Sequence, residues 1–199
     1  MFEDIFFLSL PMTQTVPSFP ELVREAENRL SRVLEGRCVI SVHRELDENL
    51  KVVIQTIDHE KFRQELWYSR DELDTRTSRK GFLCLLASLD GRAVAFDYGY
   101  EDEEEDTFYS DSTATLIEGK RVGSTLFALE ILHSYLQGCK RTRQSTEELD
   151  EKGRPLTRIW GRLGFEVVSS DSSGNIEMVL TYTPQRMRSL YESYISDKQ

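Results

Sequence analysis

Apolar residues recur at Leu22, Ala26, Leu30, Val33 and Leu34, the three-and-four spacing that lines one face of a helix, and this predicts a helix over 21–34 that Gly36 stops. The pattern then changes. Segments 38–42 and 51–57 are rich in β-branched residues and flank an acidic, Asn-containing turn at 47–49, which reads as a hairpin. Asp58 is placed to cap a helix from His59 to about Tyr68, a second helical piece follows at 70–74, and 75–80 loops out. Ahead of all this, residues 1–19 show little periodicity and contain Pro11 and Pro17, an apolar arm that must dock on something.

Three strands come next, at 82–88, 92–100 and 107–115, the first two joined across Asp90-Gly91, a strong two-residue hairpin signal. A helix over 124–137 carries Leu126, Leu129, Ile131, Leu132, Tyr135 and Leu136 toward a core and ends at Gly138. A short strand is expected at 141–146. Pro155 then opens a helix with Leu156, Ile159, Trp160 and Leu163 on one face, and Gly164 closes it. Strands at 165–168 and 176–182 and a terminal helix at 184–195 complete the order. Helices interleaved with consecutive strands in this way predict an α/β chain built on a mixed sheet.

The chemistry concentrates at 113–126, TATLIEGKRVGSTL, where a strand end passes through a glycine-punctuated basic turn into the long helix. Gly119 and Gly123 permit close backbone approach, Lys120 and Arg121 add positive charge, and Ser124 or Thr125 can cap the helix or meet phosphate oxygens. A helix start of this kind collects unpaired N–H donors and favours an anion. Two common phosphate loops do not match. The Walker-type loop needs its lysine after the second glycine, whereas Lys120 precedes Gly123; the dinucleotide fingerprint needs a third glycine and a repeated strand-helix unit.

The stretch resembles the acyl-coenzyme A loop of the GNAT acetyltransferases, whose consensus is Gln or Arg, two residues, Gly, one residue, then Gly or Ala. Aligned on Gly123, this chain has Glu118 where the family usually has Gln or Arg, and Arg121 at the first glycine. A second GNAT-like segment lies at 159–168, IWGRLGFEVV, so the resemblance covers roughly residues 50–183. It implies a single GNAT-like domain, α/β in class, with a mixed central β-sheet flanked by helices and an N-terminal helical extension. Residues 1–49 would be an arm, helix and strand packed on the main domain, and 50–199 the acyl-coenzyme A-binding part.

By the same resemblance, backbone groups at Thr113, Ala114 and Thr115 would hold the pantetheine arm of acetyl-coenzyme A. The amides of the loop Glu118, Gly119, Lys120, Arg121, Val122, Gly123, Ser124 and Thr125 would hold its pyrophosphate. The strand before the loop flanks the thioester in the family, which makes Asp111 the candidate proton acceptor, with Tyr109 second. Strand alternation puts Thr107, Tyr109, Asp111 and Thr113 on one side. The family usually has Tyr at the position of Trp160, and an indole N–H donates a hydrogen bond but does not titrate, so Trp160 is expected to pack against the core or the cofactor. The implied activity is acetyl-coenzyme A-dependent N-acetylation of a primary amine, a small molecule or a peptide, by direct transfer in a ternary complex. The alternative is a catalytically inactive GNAT-like module that binds an acyl-coenzyme A or a regulatory partner.

Charge and composition narrow the partners. A formal net charge of −10 argues against nucleic acid. The run at 101–106 reads as a solvated hairpin tip about 23 Å from Thr113 at ~3.3 Å per residue. No apolar run approaches the ~20 residues of a membrane span. The first residues carry Glu3 and Asp4 rather than a basic region, which points to a cytoplasmic location. Three dispersed cysteines and three dispersed histidines suggest neither disulfide nor metal, with Cys84 and Cys139 read as small buried hydrophobes and His133 as a packing residue. A homodimer through the N-terminal arm or the last strand is a further expectation.

Overall fold

The computed structural model describes residues 16–150, 152–172 and 174–197. The first helix, α1 (Phe19–Leu34), begins where the Glu21 carboxylate accepts the Ser18 amide at 3.0 Å, and it buries Leu22, Ala26 and Leu30. Of the arm expected at 1–19, residues 1–15 lie outside the described residues; Val16 is buried in the core.

Strand β1 (Cys38–His43) forms as expected, but the hairpin partner does not. Residues 48–61 are helical, α2 (Glu48–Lys61), with the Asp47 side chain accepting the Leu50 amide at 2.8 Å as its cap. Beneath the β-branched composition of Val52, Val53, Ile54 and Ile57 lies a helical spacing: Leu50, Val53, Ile54 and Ile57 pack inward together. The helix expected from His59 to Tyr68 is likewise corrected. Asp58 is a buried residue inside α2 and not a cap, and the chain leaves α2 at Phe62 into a short 3-10 turn, Gln64–Leu66. The piece expected at 70–74 is α3 (Arg70–Thr77), capped by Ser69 and Glu72 and burying only Leu73.

The remaining elements follow the expected order: β2 (Leu83–Leu89), β3 (Arg92–Glu101), β4 (Thr107–Thr115), α4 (Val122–Leu136), β5 (Arg141–Glu147), α5 (Leu156–Gly161), β6 (Glu166–Ser170), β7 (Asn175–Thr181) and α6 (Pro184–Leu190). Asp90 and Gly91 both take positive φ, 50° and 82°, the turn that suits the twist of a two-residue hairpin. The terminal helix is shorter than expected, changing to a π-turn at Tyr191–Ile195.

The strands make one sheet in the order β1-β2-β3-β4-β5-β7-β6, antiparallel except for β4 with β5. Helices α1, α4 and α6 cover one face through Leu22, Leu126, Leu129 and Met187, while α2 and α3 cover the other through Ile54, Ile57 and Leu73 against Phe96 and Tyr98. The sheet is thus mixed and clad on both faces.

The register between β3 and β4 slips by one residue. Tyr98 pairs with Ser112 and Gly99 with Ser110, so Asp111 has no cross-strand partner and forms a bulge in β4. Cross-strand partners share a face, which sends Thr113 to the α4 side with Asp97. The expectation that Thr107, Tyr109, Asp111 and Thr113 share one side therefore fails at Thr113, because the extra residue reverses the alternation.

Candidate active site

Strands β4 and β5 pair over three residues only, Thr107 with Arg141, Phe108 with Thr142 and Tyr109 with Arg143. Beyond that point they part. Residues 110–115 and 144–147 do not pair with each other, which leaves a gap in the ladder, while β5 stays paired along its other edge to β7. Backbone groups freed in this way need acceptors and donors from a guest molecule or water, and Thr113, Ala114 and Thr115 lie along this edge.

At the mouth of the gap the chain turns into α4. Gly119 has φ 75°, and Arg121 caps the helix in the left-handed conformation, φ 64° and ψ 14°. Arg121 stands where the GNAT loop has its first glycine and adopts the geometry that a glycine supplies without strain. Its guanidinium turns away from the loop, 3.4 Å from the Ser193 carbonyl and 6.0 Å from the centre of the Tyr194 ring. The first helical bond of α4 runs from the Thr125 amide to the Arg121 carbonyl at 2.9 Å. The amides of Val122, Gly123 and Ser124 are therefore left without helical acceptors, at the positive end of the helix dipole. A Cβ on Gly123 would stand 3.3 Å from Thr115 Cγ2, so the glycine lets the helix start close on the strand end. Lys120 is exposed on the loop. Thr125 is committed elsewhere, its hydroxyl donating to the Tyr194 carbonyl at 3.3 Å.

Glu118 carries the main electrostatic feature of this mouth. It accepts Lys61 Nζ at 2.8 Å and Lys152 Nζ at 2.6 Å, with Arg154 3.8 Å away. The hydrogen bonds from Lys152 and Lys61 pull its carboxyl down to about 2. Trp160 stands beside β5: its indole N–H donates to Thr146 Oγ1 at 3.2 Å, and its ring lies 4.8 Å from Phe127 on α4. The ring thus packs against the core through Phe127.

On the opposite face, the bulge drives Asp111 into a nest of aromatic hydroxyls. Tyr68 donates to Oδ1 at 3.0 Å and Tyr100 to Oδ2 at 2.8 Å, and Arg76 Nε lies 3.0 Å from Oδ2. The carboxylate is only 6% exposed. Tyr109 stands beside it, 5.6 Å from the Tyr100 ring and with the Arg143 guanidinium 5.6 Å from its own. Burial first, and then the Asp111 charge, raise the Tyr109 phenol, which keeps it protonated. Tyr68, Arg76, Tyr100 and Arg143 carry no motif that marks them in the sequence. They come from separate segments, and only tertiary packing brings Tyr68, Arg76 and Tyr100 to Asp111 and Arg143 to the Tyr109 ring.

Other groups resolve differently. The acids at 101–106 are interlaced with cations: Arg79 with Glu103 at 3.2 Å, Arg143 with Asp102 at 2.9 Å, Arg141 with Glu104 at 2.7 Å, and Lys140 with Asp106. His133 is buried on α4, 2.9 Å from Arg44 Nη2 and 4.5 Å from the Phe19 ring, and burial pushes its imidazole down to about 4. A cavity of about 530 Å³ lies at the hairpin end, lined by Arg44, Glu101 and His133 among others, away from the loop mouth.

No family model and no curated protein matches the chain. Solved structures do. The coenzyme A complex of PaiA N-acetyltransferase from Thermoplasma acidophilum superposes with a TM-score of 0.59 at 16% identity, over 72% of this chain and 99% of that one. The chain has the GNAT fold. The ribosomal-protein-S18-alanine N-acetyltransferase of Escherichia coli is similar with a TM-score of 0.58 at 13% identity, covering 72% and 94%. The aminoglycoside 6'-N-acetyltransferase of Enterococcus faecium gives 0.56 at 15%, covering 72% and 96%. The loop resemblance assigns the cofactor to the end of β4 at Thr113–Thr115 and to the turn into α4.

Proposed function

We propose that this chain is a GNAT N-acetyltransferase that moves the acetyl group of acetyl-coenzyme A to a primary amine by direct transfer in a ternary complex. The observation that carries this is the gap between β4 and β5, opening at one end on the unpaired amides of Val122, Gly123 and Ser124 and walled by the Asp111 bulge. The residues present fit the cofactor. The close approach at Gly123, the left-handed turn at Gly119 and Arg121, and the free amides suit a pyrophosphate, and the edge at 113–115 suits an amide-bearing arm. When bound, acetyl-coenzyme A supplies the activated thioester. The chain's own part is to hold that arm straight, to take the amine's proton at Asp111, and to offer the protonated Tyr109 hydroxyl as the acid on the same face. Trp160 packs and does not titrate.

A second reading is supported by Asp111 itself, whose two oxygens already face three donors, and by Glu118 at the mouth. It is a module that binds an acyl-coenzyme A without turnover. Calorimetry with acetyl-coenzyme A tests the shared premise, with absence of heat at millimolar cofactor ending both. Thiol release across an amine panel separates them: turnover lost in Asp111→Asn with binding intact supports the enzyme, and binding without turnover on any amine supports the module.

A further inference from the structure

The nest around Asp111 has the composition of a cation site. Tyr68 and Tyr100 converge on the carboxylate by their hydroxyls, the Tyr98 ring lies 6.2 Å from Tyr68, and the Tyr109 ring lies 5.6 Å from Tyr100. Aromatic faces around one buried carboxylate attract a desolvated cation by charge and by ring quadrupole together. The site already holds one. The Arg76 guanidinium sits 4.2 Å from the centre of the Tyr68 ring while its Nε faces Asp111.

The element that delivers Arg76 is weakly held. Helix α3 is eight residues long and buries Leu73 alone. Its other ties are ion pairs at α2, Asp74 with Lys51 and Arg70 with Glu48, with Asp74, Arg70 and Glu48 more than half exposed. Exposed residues flank it at 63–67 and 78–80. The Arg70–Glu48 pair is exposed at both ends and contributes about 0–1 kcal/mol, whereas Lys51 is buried, so withdrawal of α3 has to break the Asp74–Lys51 pair and the Leu73 contact.

We infer that the Tyr68–Tyr100–Asp111 nest is the receiving site for an alkylammonium or guanidinium group, and that Arg76 occupies it from within the chain until such a group displaces it together with α3. This rests on the acetyl-transfer reading for its purpose, since the bulged carboxylate is the proposed proton acceptor and is free to act only when Arg76 leaves. It also accounts for a carboxylate enclosed by donors in the resting chain.

The test removes the plug and offers a replacement. Methylguanidinium or n-butylammonium chloride, at about 10 mM, is added to the full chain and to Arg76→Ala, with sodium chloride at equal ionic strength as the control. The expected result is a melting temperature raised by a few degrees in the variant and unmoved in the parent chain, with the variant binding the cation about tenfold more tightly, since it no longer competes with Arg76. Should Arg76→Ala not fold, Arg76→Gln serves, having nearly the same length without the charge. No response beyond the salt control in the variant, or an equal response in the parent, overturns the inference. Weaker cation binding by the variant also overturns it, because Arg76 would then be recruiting the ligand. Acetyl-coenzyme A calorimetry on the same two proteins keeps the readings apart. Cofactor binding without a cation response sinks the cage alone, and a cation response without cofactor binding keeps the cage and sinks acetyl transfer.

Discussion

The Lys152 ammonium stands 2.6 Å from one Glu118 carboxylate oxygen, and this pair joins the loop before α5 to the loop before α4. Lys61, at the end of α2, holds the other oxygen at 2.8 Å. Glu118 thus keeps two cations that a phosphate-bearing ligand would otherwise attract. Glu118→Gln is expected to tighten coenzyme A binding about three- to tenfold at low salt, with the gain shrinking as salt is added, which calorimetry at two ionic strengths would show. Because the Glu118 carboxyl is held near 2, below its ordinary 4.5, the latch is fully formed above about pH 4.5 and is lost as pH falls through the lower value.

Arg121 holds φ 64° at the start of α4. Arg121→Gly is expected to leave stability within about 1 kcal/mol, relief of the left-handed strain offsetting the lost contact to Ser193. Arg121→Val, β-branched at the same position, is expected to cost about 1–3 kcal/mol. Urea denaturation of both variants checks the contrast.

Gly99 lies opposite Ser110, beside the β4 bulge, and a Cβ there would meet the Tyr109 carbonyl at 2.3 Å and Glu130 Oε1 at 2.6 Å. Neither neighbour is a loose surface group, so Gly99→Ala is expected to destabilise by about 2–4 kcal/mol and to disturb the bulge. A fall in urea midpoint would mark the effect, and a midpoint equal to the parent's would exclude it.

Two fully buried acids, Asp97 on β3 and Glu130 on α4, sit under the sheet with no ion pair to either among the described residues. Burial raises both carboxyls well above their ordinary values, and the Asp97 charge raises Glu130 further. The folded chain therefore binds more protons than the unfolded one once pH passes the ordinary carboxylate range, and stability falls as pH rises from there toward the folded values. Glu130→Gln is expected to be about 1–3 kcal/mol more stable than the parent at pH 8 and nearly equal to it at pH 4. Thermal melts across that range read the difference. Asp58, pushed up to about 6 by burial, adds the same sign of dependence between pH 4 and 6.

Much of this protein is written locally. The Asp90-Gly91 turn, the amphipathic run at 21–34, Pro155 and Gly164 around a short apolar helix, and the glycines at 119 and 123 each act within a few residues, and the elements they predict are present. The loop into α4 is legible for the same reason, because a helix start exposes its amides whatever surrounds it. Segment 51–57 misleads because β-branched composition and helical spacing compete there, and Ile54 and Ile57 bury against Phe96 and Tyr98 only when the segment is helical. Asp111 stands out as a candidate from its place on the strand, but its surroundings cannot be read there. The bulge that turns it toward Tyr68 and Tyr100, and turns Thr113 away, is a property of the register between β3 and β4. Arg76 reaches it from another element altogether. Local sequence determined what can start, stop and bind an anion; tertiary structure decided which charges meet, because register and packing bring together residues that share no neighbours along the chain.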